Sequence, residues 1–276
     1  MLKTRILTAL VLLAVLLPVL YLNHYLAFAA VVTVFFGAAI WECFRLFNPG
    51  SKNALLIAVF WTAAFAWAFF VRPGGATTFW FAISVLLWAL RFAPSLKLGL
   101  PQLGSSGNTF LSLLYAIAVV GCFAAIVTLF SHSPLYLLSV MAIVWAADIF
   151  AYFCGKTFGK RKLAPSISPG KSWEGAIGGG VAVLLLATLV VVEWSDALAD
   201  TFPVRVHASL GWGALYAVLV LIVAASVVGD LFESQLKRRA GFKDSSNLLP
   251  GHGGVLDRVD ALVPVLPLAA LIGAWL

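Results

Sequence analysis

The chain has 276 residues, 62% of them hydrophobic and only 11% charged, with a net charge of +7 and a mean hydropathy of +1.03. Soluble domains carry roughly 45–50% apolar residues, so this composition excludes one and points to an all-α, polytopic integral membrane protein. Cys43, Cys122 and Cys154 are scattered in or near apolar stretches without paired spacing, which argues against both a disulfide framework and a zinc site.

Apolar runs of about 20 residues, each long enough to cross a ~30 Å hydrocarbon core as a helix, recur from end to end. Nine spans are predicted, at roughly 6–22, 26–46, 53–71, 76–93, 109–131, 135–154, 176–194, 212–233 and 261–276. The first follows Lys3 and Arg5 and, with Ala27-Phe28-Ala29 behind it, imitates a secretory signal. Its length and the immediate start of the next span favour an uncleaved first helix. Pro94, Pro101 and the stretch from Gly104 to Gly107 read as a flexible connection between the fourth and fifth spans. The ninth is short, and Pro264 and Pro267 make its start irregular. No soluble domain interrupts the series, so residues 1–276 read as one transmembrane domain.

With a cytoplasmic N-terminus and alternating spans, the cytoplasmic segments collect 16 of the 18 lysines and arginines. They are Lys3, Arg5, Arg45, Lys52, Arg91, Lys97, five cations in 156–171 and five in 237–258. Arg72 and Arg205 remain on the other side with Glu193, Asp196 and Asp200. This is the bias expected of a membrane protein with its N-terminus inside. It also puts the two chemically rich loops, about 155–175 and 230–260, on the cytoplasmic side.

The first of these loops contains Gly170-Lys171-Ser172, which resembles the end of a Walker A loop. The match fails, because the first glycine of that motif would fall at Pro165 and no strand is expected before it. Ser166, Ser168, Lys171 and Ser172 nevertheless offer hydroxyl and ammonium donors just before a helix start at Gly178-Gly-Gly180, and helix N-termini favour anions. An ordinary cation-rich cytoplasmic loop explains the same residues equally well. Asp148, within the sixth span, is either a structural acceptor or a substrate contact.

The second loop is the densest. Residues 234–260 hold five cations, three carboxylates, one histidine and four glycines. Asp230 stands at the end of the eighth span, and Asp257 and Asp260 are three apart, on one face if helical. Helices eight and nine are joined by about 25 residues, so the three carboxylates can converge into a hard oxygen site of the kind magnesium shares with substrate phosphates. Asp257 and Asp260 pairing only with Arg258 and Lys237 is the simpler alternative. Lys237, Arg238, Arg239 and Lys243, interleaved with Asp244 and closed by Pro250-Gly-His-Gly-Gly254, suit a phosphate pocket better than a plain polybasic anchor. His252, in a glycine turn, reads as a hydrogen-bond donor sooner than a base. His24, His132 and His207 face outward and carry no signal.

The run Ser234-x-Leu-Lys-Arg238, Lys243-Asp244, Leu249-Pro250 and His252-Gly-Gly-Val-x-Asp-Arg-Val-Asp260 resembles the signature of the phosphatidate cytidylyltransferases. Asp148-x-x-Ala-Tyr152, Gly155, Gly159-Lys160 and Leu163 to Gly175 resemble that family's second block. The resemblance implies transfer of CMP from CTP to phosphatidic acid, with release of pyrophosphate, in the bacterial cytoplasmic (inner) membrane. It implies Asp230, Asp257 and Asp260 as magnesium ligands, with or without a second, monovalent cation, and Lys237 beside them as a catalytic residue. Ser168, Lys171, Ser172, Ser234, Arg238, Lys243, Asp244, His252 and Arg258 are the expected substrate contacts. A homodimer is implied as well, and no nucleic-acid partner is expected.

Two other readings are weaker. A CTP-dependent kinase or cytidylyltransferase acting on another lipid, such as a polyprenol, conflicts with the intact signature. A transporter using Asp148 and Asp230 as ion sites should carry mid-membrane charges on several helices and broken repeats, whereas the ionisable groups here crowd into two loops.

Overall fold

The computed structural model describes residues 24–71 and 77–276, together with Thr8, Leu10, Val11, Ala14, Leu17, Pro18, Val19 and Tyr21. Apart from those isolated positions, the first expected span, with Lys3 and Arg5 before it, lies outside the described residues, as does Arg72.

Helix α1 runs Tyr25–Phe47, capped by the His24 ring, which accepts from Ala27 N at 3.3 Å. Helix α2, Ala54–Ala66, continues through a π-helical turn to Val71. Helix α3, Thr77–Leu87, passes through a second π turn, Trp88–Phe92, into α4, Ala93–Leu98. Pro94 explains that second turn. A proline has no N–H and collides with the carbonyl four residues back, and the ladder ahead of it widens so that Ala93 N bonds Trp88 O. Helices α5, Ser106–His132, and α6, Pro134–Phe158, are separated by Ser133 alone, whose hydroxyl caps α6 by accepting from Tyr136 N.

A short antiparallel hairpin follows, β1 (Lys162–Ala164) with β2 (Ser168–Ser172), in register Lys162↔Ser172 and Ala164↔Ser168. It leads into α7, Trp173–Glu193, capped by the Ser172 hydroxyl. Helix α8, Phe202–Arg239, breaks at Gly211, where φ is 77°, so its spanning part begins at Trp212. A four-residue turn of helix, α9 (Leu256–Val259), precedes α10, Leu262–Gly273.

Among the described residues, seven helices are long and apolar enough to cross a membrane. They coincide with the second to eighth expected spans, and the chain is a multi-pass membrane protein. The ninth is different in kind. Helix α10 has 12 residues, about 18 Å of rise, too little to cross ~30 Å of hydrocarbon. It is buried instead, with Val263, Val265, Leu266 and Ala269 fully enclosed. Continuous hydrophobicity alone does not separate a lipid-facing span from a short core helix.

Helices α6 and α7 meet along small residues. A methyl group on Gly179 would lie 2.4 Å from Ala147 O, and one on Gly175 would lie 2.7 Å from Ala151 O. Lipid tails are as apolar as leucine, so close backbone approach and dispersion must hold such a pair together. Beneath the charged end, Trp88, Phe92, Tyr115 and Phe232 tie α3, its π turn, α5 and α8 together, with ring centroids 4.9–6.2 Å apart.

The two ends of the bundle are chemically unlike. One gathers the end of α1, the start of α5, the end of α6, the hairpin, the end of α8 and the start of α10. At the other, His132, Asp200 and Arg205 form a small cluster, with His132 Nε2 2.9 Å from Asp200 Oδ1 and 2.6 Å from Arg205 Nη1. Gly179→Val is expected to destabilise the detergent-solubilised protein by about 1–3 kcal/mol, the usual cost of overpacking. Thermal melting is the check, with Gly170→Ala, at a site with open space around it, as the neutral control.

Candidate active site

The site begins with a carboxylate inside an apolar helix. Glu42 of α1 is fully buried. It accepts from the hydroxyl of Ser246, from Ser245 Oγ at 3.2 Å, from Val255 N at 3.0 Å and from Leu256 N at 2.6 Å. One side chain therefore binds both ends of the 245–256 loop. Arg45, one turn on, donates to Ser245 O and lies over the Phe242 ring at 4.5 Å. The glycine turn is shaped to this anchor. Gly253 has φ of 82°, and a methyl group on Gly254 would fall 2.3 Å from Glu42 Oε1, so larger residues at these positions would push the loop off the carboxylate.

The anchored loop presents Asp257 to α8. Its Oδ1 accepts from Lys237 Nζ at 2.6 Å, and its Oδ2 accepts from Ser245 N, Ser245 Oγ and Gly254 N, each at 2.8 Å. Burial works against ionisation here. The Lys237 hydrogen bond, the Gly254 N–H, the Lys237 charge and the Ser245 hydroxyl together outweigh it and hold the carboxyl below the ordinary range. Lys237 also lies 2.6 Å from Glu233, which is fully buried. The ammonium thus bridges two carboxylates.

A second pair forms a turn earlier on α8. Lys171, on β2, reaches across to Asp230, which also accepts from Ser234 Oγ at 3.3 Å. The hairpin that delivers Lys171 is closed at its base by Glu174, which accepts from the backbone N–H groups of Lys160 and Arg161. Asp148, exposed on α6, is close enough to feel the charges of Asp230 and Lys171. Asp260 follows α9, and its backbone packs on α8 so closely that a methyl group on Gly229 would lie 2.5 Å from Asp260 O. Burial first, and then the Asp230 charge, push the Asp260 carboxyl upward.

Of the expected site residues, Asp230, Ser234, Lys237, Asp257, Asp260 and Lys171 converge on one stretch of α8. Ser172 is used locally, capping α7 through Gly175 N at 3.2 Å. Ser168 starts β2 beside it. Arg238, Lys243, Asp244 and Arg258 are exposed around the rim. His252 is half-buried, with its backbone N–H on Leu249 O at 2.8 Å and Nδ1 unpartnered. Among the described residues no three His, Cys, Asp or Glu side chains gather closely enough to hold a metal ion alone. Asp257 in particular is occupied by Lys237, Ser245 and Gly254, where convergence with Asp230 and Asp260 was expected.

Glu42, Arg45, Glu233, Ser245 and Ser246 were not foreseen as site residues. Glu42 and Glu233 carried a readable signal, since a carboxylate inside or at the end of an apolar span demands a partner. The strand in the Lys171 loop also differs from expectation. It contains the Gly-Lys-Ser triplet, where a Walker A loop would follow a strand, and Ser172 serves as a helix cap.

The described residues form a multi-pass membrane protein with lysines paired to carboxylates at one end. The chain belongs to the cytidylyltransferase family, whose model matches residues 3–276. It is 39% identical to the phosphatidate cytidylyltransferase of Pseudomonas aeruginosa over 99% of this chain and 98% of that one. It is 37% identical to that of Haemophilus influenzae over 97% and 96%, and 31% identical to that of Bacillus subtilis over 96% and 95%.

Removing the bridging ammonium leaves two buried carboxylates facing each other. Lys237→Met is expected to cost about 3–5 kcal/mol, and adding Glu233→Gln should recover part of it, as chemical denaturation of the two variants would measure. Asp257 works in the opposite pH sense to a buried neutral acid. Its lowered pKa adds stability that is complete above the ordinary carboxylate range and disappears as pH falls through the lowered value. Asp257→Asn should therefore reduce stability at neutral pH and flatten its acid limb, read as melting temperature against pH.

Proposed function

We propose that this chain transfers CMP from CTP to phosphatidic acid, giving CDP-diacylglycerol and pyrophosphate, at the cytoplasmic face of the bacterial inner membrane. The observation that carries the reading is near-full-length similarity to three enzymes of that name, met by a cluster of paired cations and carboxylates at a single end of the bundle. Transfer to another lipid such as a polyprenol is not favoured by those relatives.

The reaction is a substitution at the α-phosphorus of CTP. An oxygen of the phosphatidate phosphate forms the new P–O bond as the bond to the bridging oxygen of the β-phosphate breaks, and pyrophosphate leaves with that electron pair. The nucleophile is already anionic near neutral pH, so the protein must bring two anions together and stabilise the leaving group. Lys171 and Lys237 are the ammonium groups already held over carboxylates, each able to turn toward an incoming phosphate oxygen. Arg238, Lys243 and Arg258 at the rim supply exposed positive charge to draw in the triphosphate. Ser234 offers a hydroxyl beside Asp230.

A magnesium ion commonly binds through one or two carboxylates and completes its shell with water and substrate phosphates. Asp230 and Asp260 are the carboxylates that would hold such an ion, since the Asp260 backbone packs on Gly229, the residue before Asp230. Bound there, such an ion would supply neutralisation of the charge that builds on the phosphate oxygens. Asp257 acts from one step back by fixing Lys237. A homodimer belongs to the same proposal, as does a second, monovalent cation.

Radiolabelled CTP incubated with the purified protein, phosphatidic acid and magnesium should place label in a lipid. Asp230→Asn and Asp260→Asn are each expected to lower that transfer at least about a hundredfold while each variant still shows a cooperative melting transition. Arg205→Ala, at the opposite end, should stay within about twofold of the parent. No lipid labelling by the folded parent would overturn the assignment, and full activity in either aspartate variant would remove that residue from the site.

A further inference from the structure

The start of the hairpin carries three consecutive cations, Lys160, Arg161 and Lys162, all of them exposed. None of the ion pairs among the described residues includes them. Glu174, at the base of the hairpin, spends its oxygens on the backbone N–H groups of Lys160 and Arg161, at 3.1 and 3.2 Å. Trp173 N donates to Arg161 O at 2.9 Å, which seats the first residue of α7 directly beside this cluster. Trp173 is exposed, and from it a ridge of exposed apolar side chains, Ile177, Val181 and Leu185, descends α7 at four-residue spacing. Residues 173–185 rise about 18 Å, close to the depth of one leaflet, roughly half of a ~30 Å hydrocarbon core. A tryptophan at the top of a lipid-facing ridge marks the headgroup level. Positive charge at that level with apolar surface below it matches the shape and polarity of one phospholipid.

We propose that Lys160, Arg161 and Lys162 seat the phosphate of an anionic phospholipid of the surrounding bilayer, one of whose acyl chains lies along Ile177, Val181 and Leu185. The seat is separate from the transfer reaction and does not depend on it. Juxtamembrane cations in any loop attract anionic headgroups, and a seat differs by holding the lipid against one ridge. The Arg161 guanidinium can engage a phosphate through two parallel N–H bonds, and the two lysines add charge beside it. The backbone that carries these side chains is already fixed, at Lys160 and Arg161 by Glu174 and at Lys162 by its register opposite Ser172. Ser172 follows Lys171 on β2, so a lipid held at Lys162 also steadies the strand that brings Lys171 to Asp230.

Trp173 reports on the seat. The full chain is reconstituted in phosphatidylcholine bilayers, and its fluorescence is quenched with phosphatidylglycerol or phosphatidylcholine brominated on the acyl chains. Subtracting the signal of Trp173→Phe in each background isolates this one residue. Its quenching is expected to favour brominated phosphatidylglycerol at least about fivefold, the effect of a single cation near the membrane surface. The preference should shrink as salt rises. In Arg161→Gln with Lys162→Gln it should fall to about twofold or less, whereas Lys52→Gln, which removes an exposed cation elsewhere, should keep the parent's value. If the double variant does not fold, the two single variants carry the test, each with a smaller loss. Equal quenching by the two lipids in the parent would overturn the proposal. So would a preference retained in the folded double variant, or one lowered as much by Lys52→Gln, which would leave only attraction to the overall charge.

Discussion

The charged end of this molecule depends on one buried carboxylate. Glu42 sits in an otherwise apolar helix, where an unpaired ion would be costly, and among the described residues its partners are hydroxyls and backbone N–H groups of residues 245–256. That requirement joins α1 to a loop 200 residues away in sequence. It fixes Asp257 against Lys237 and sets Asp260 on α8 at Gly229. A loop rich in glycine and charge would otherwise have many conformations, and the Glu42 contacts select one.

The same economy of position runs through the site. Each lysine that faces the reacting region is already held by a carboxylate, Lys171 by Asp230 and Lys237 by both Glu233 and Asp257. Such pairs keep ammonium groups ordered and charged at the membrane edge while leaving them able to engage phosphate oxygens. The bundle contributes by alternation. Successive helices bring the end of α6, the start of α7 and the end of α8 to one surface, so two loops distant in sequence become a single pocket. On the proposed reading, a lipid substrate would keep its acyl chains in the bilayer there while a nucleotide arrives from water.

Much of this was legible in the sequence. Span lengths follow from hydropathy, and apolar stretches of about 20 residues, rather than the 9–11 of a membrane strand, make the second to eighth expected spans helices. Asp230, Lys237, Asp257 and Lys171 announced themselves as charges beside apolar runs. What was not legible came from long-range pairing. Glu42 showed that it needed a partner without showing which, and Asp257 gave no sign that Ser245 and Gly254 would claim its second oxygen. The spacing of Asp257 and Asp260 suggested a joint ligand set, whereas the fold turns Asp257 toward Lys237 and leaves Asp260 accepting from Ala261 N. Pro264 and Pro267 hinted that the last apolar stretch was irregular, but only packing against α3, α5 and α8 shows it to be a core helix. The hairpin escaped notice because Ser168-Pro-Gly-Lys-Ser172 lacks the alternating apolar residues by which a strand is recognised.

Hydrogen exchange at residues 245–257 tests the central claim most directly, comparing the parent with Glu42→Gln. If Glu42 holds the loop, the amides of Val255, Leu256, Ser245 and Gly254 are protected in the parent and exchange much faster in the variant, while α5 and α10 keep their protection. Equal protection of those four amides in both proteins would contradict the account and leave the loop to be ordered by something else.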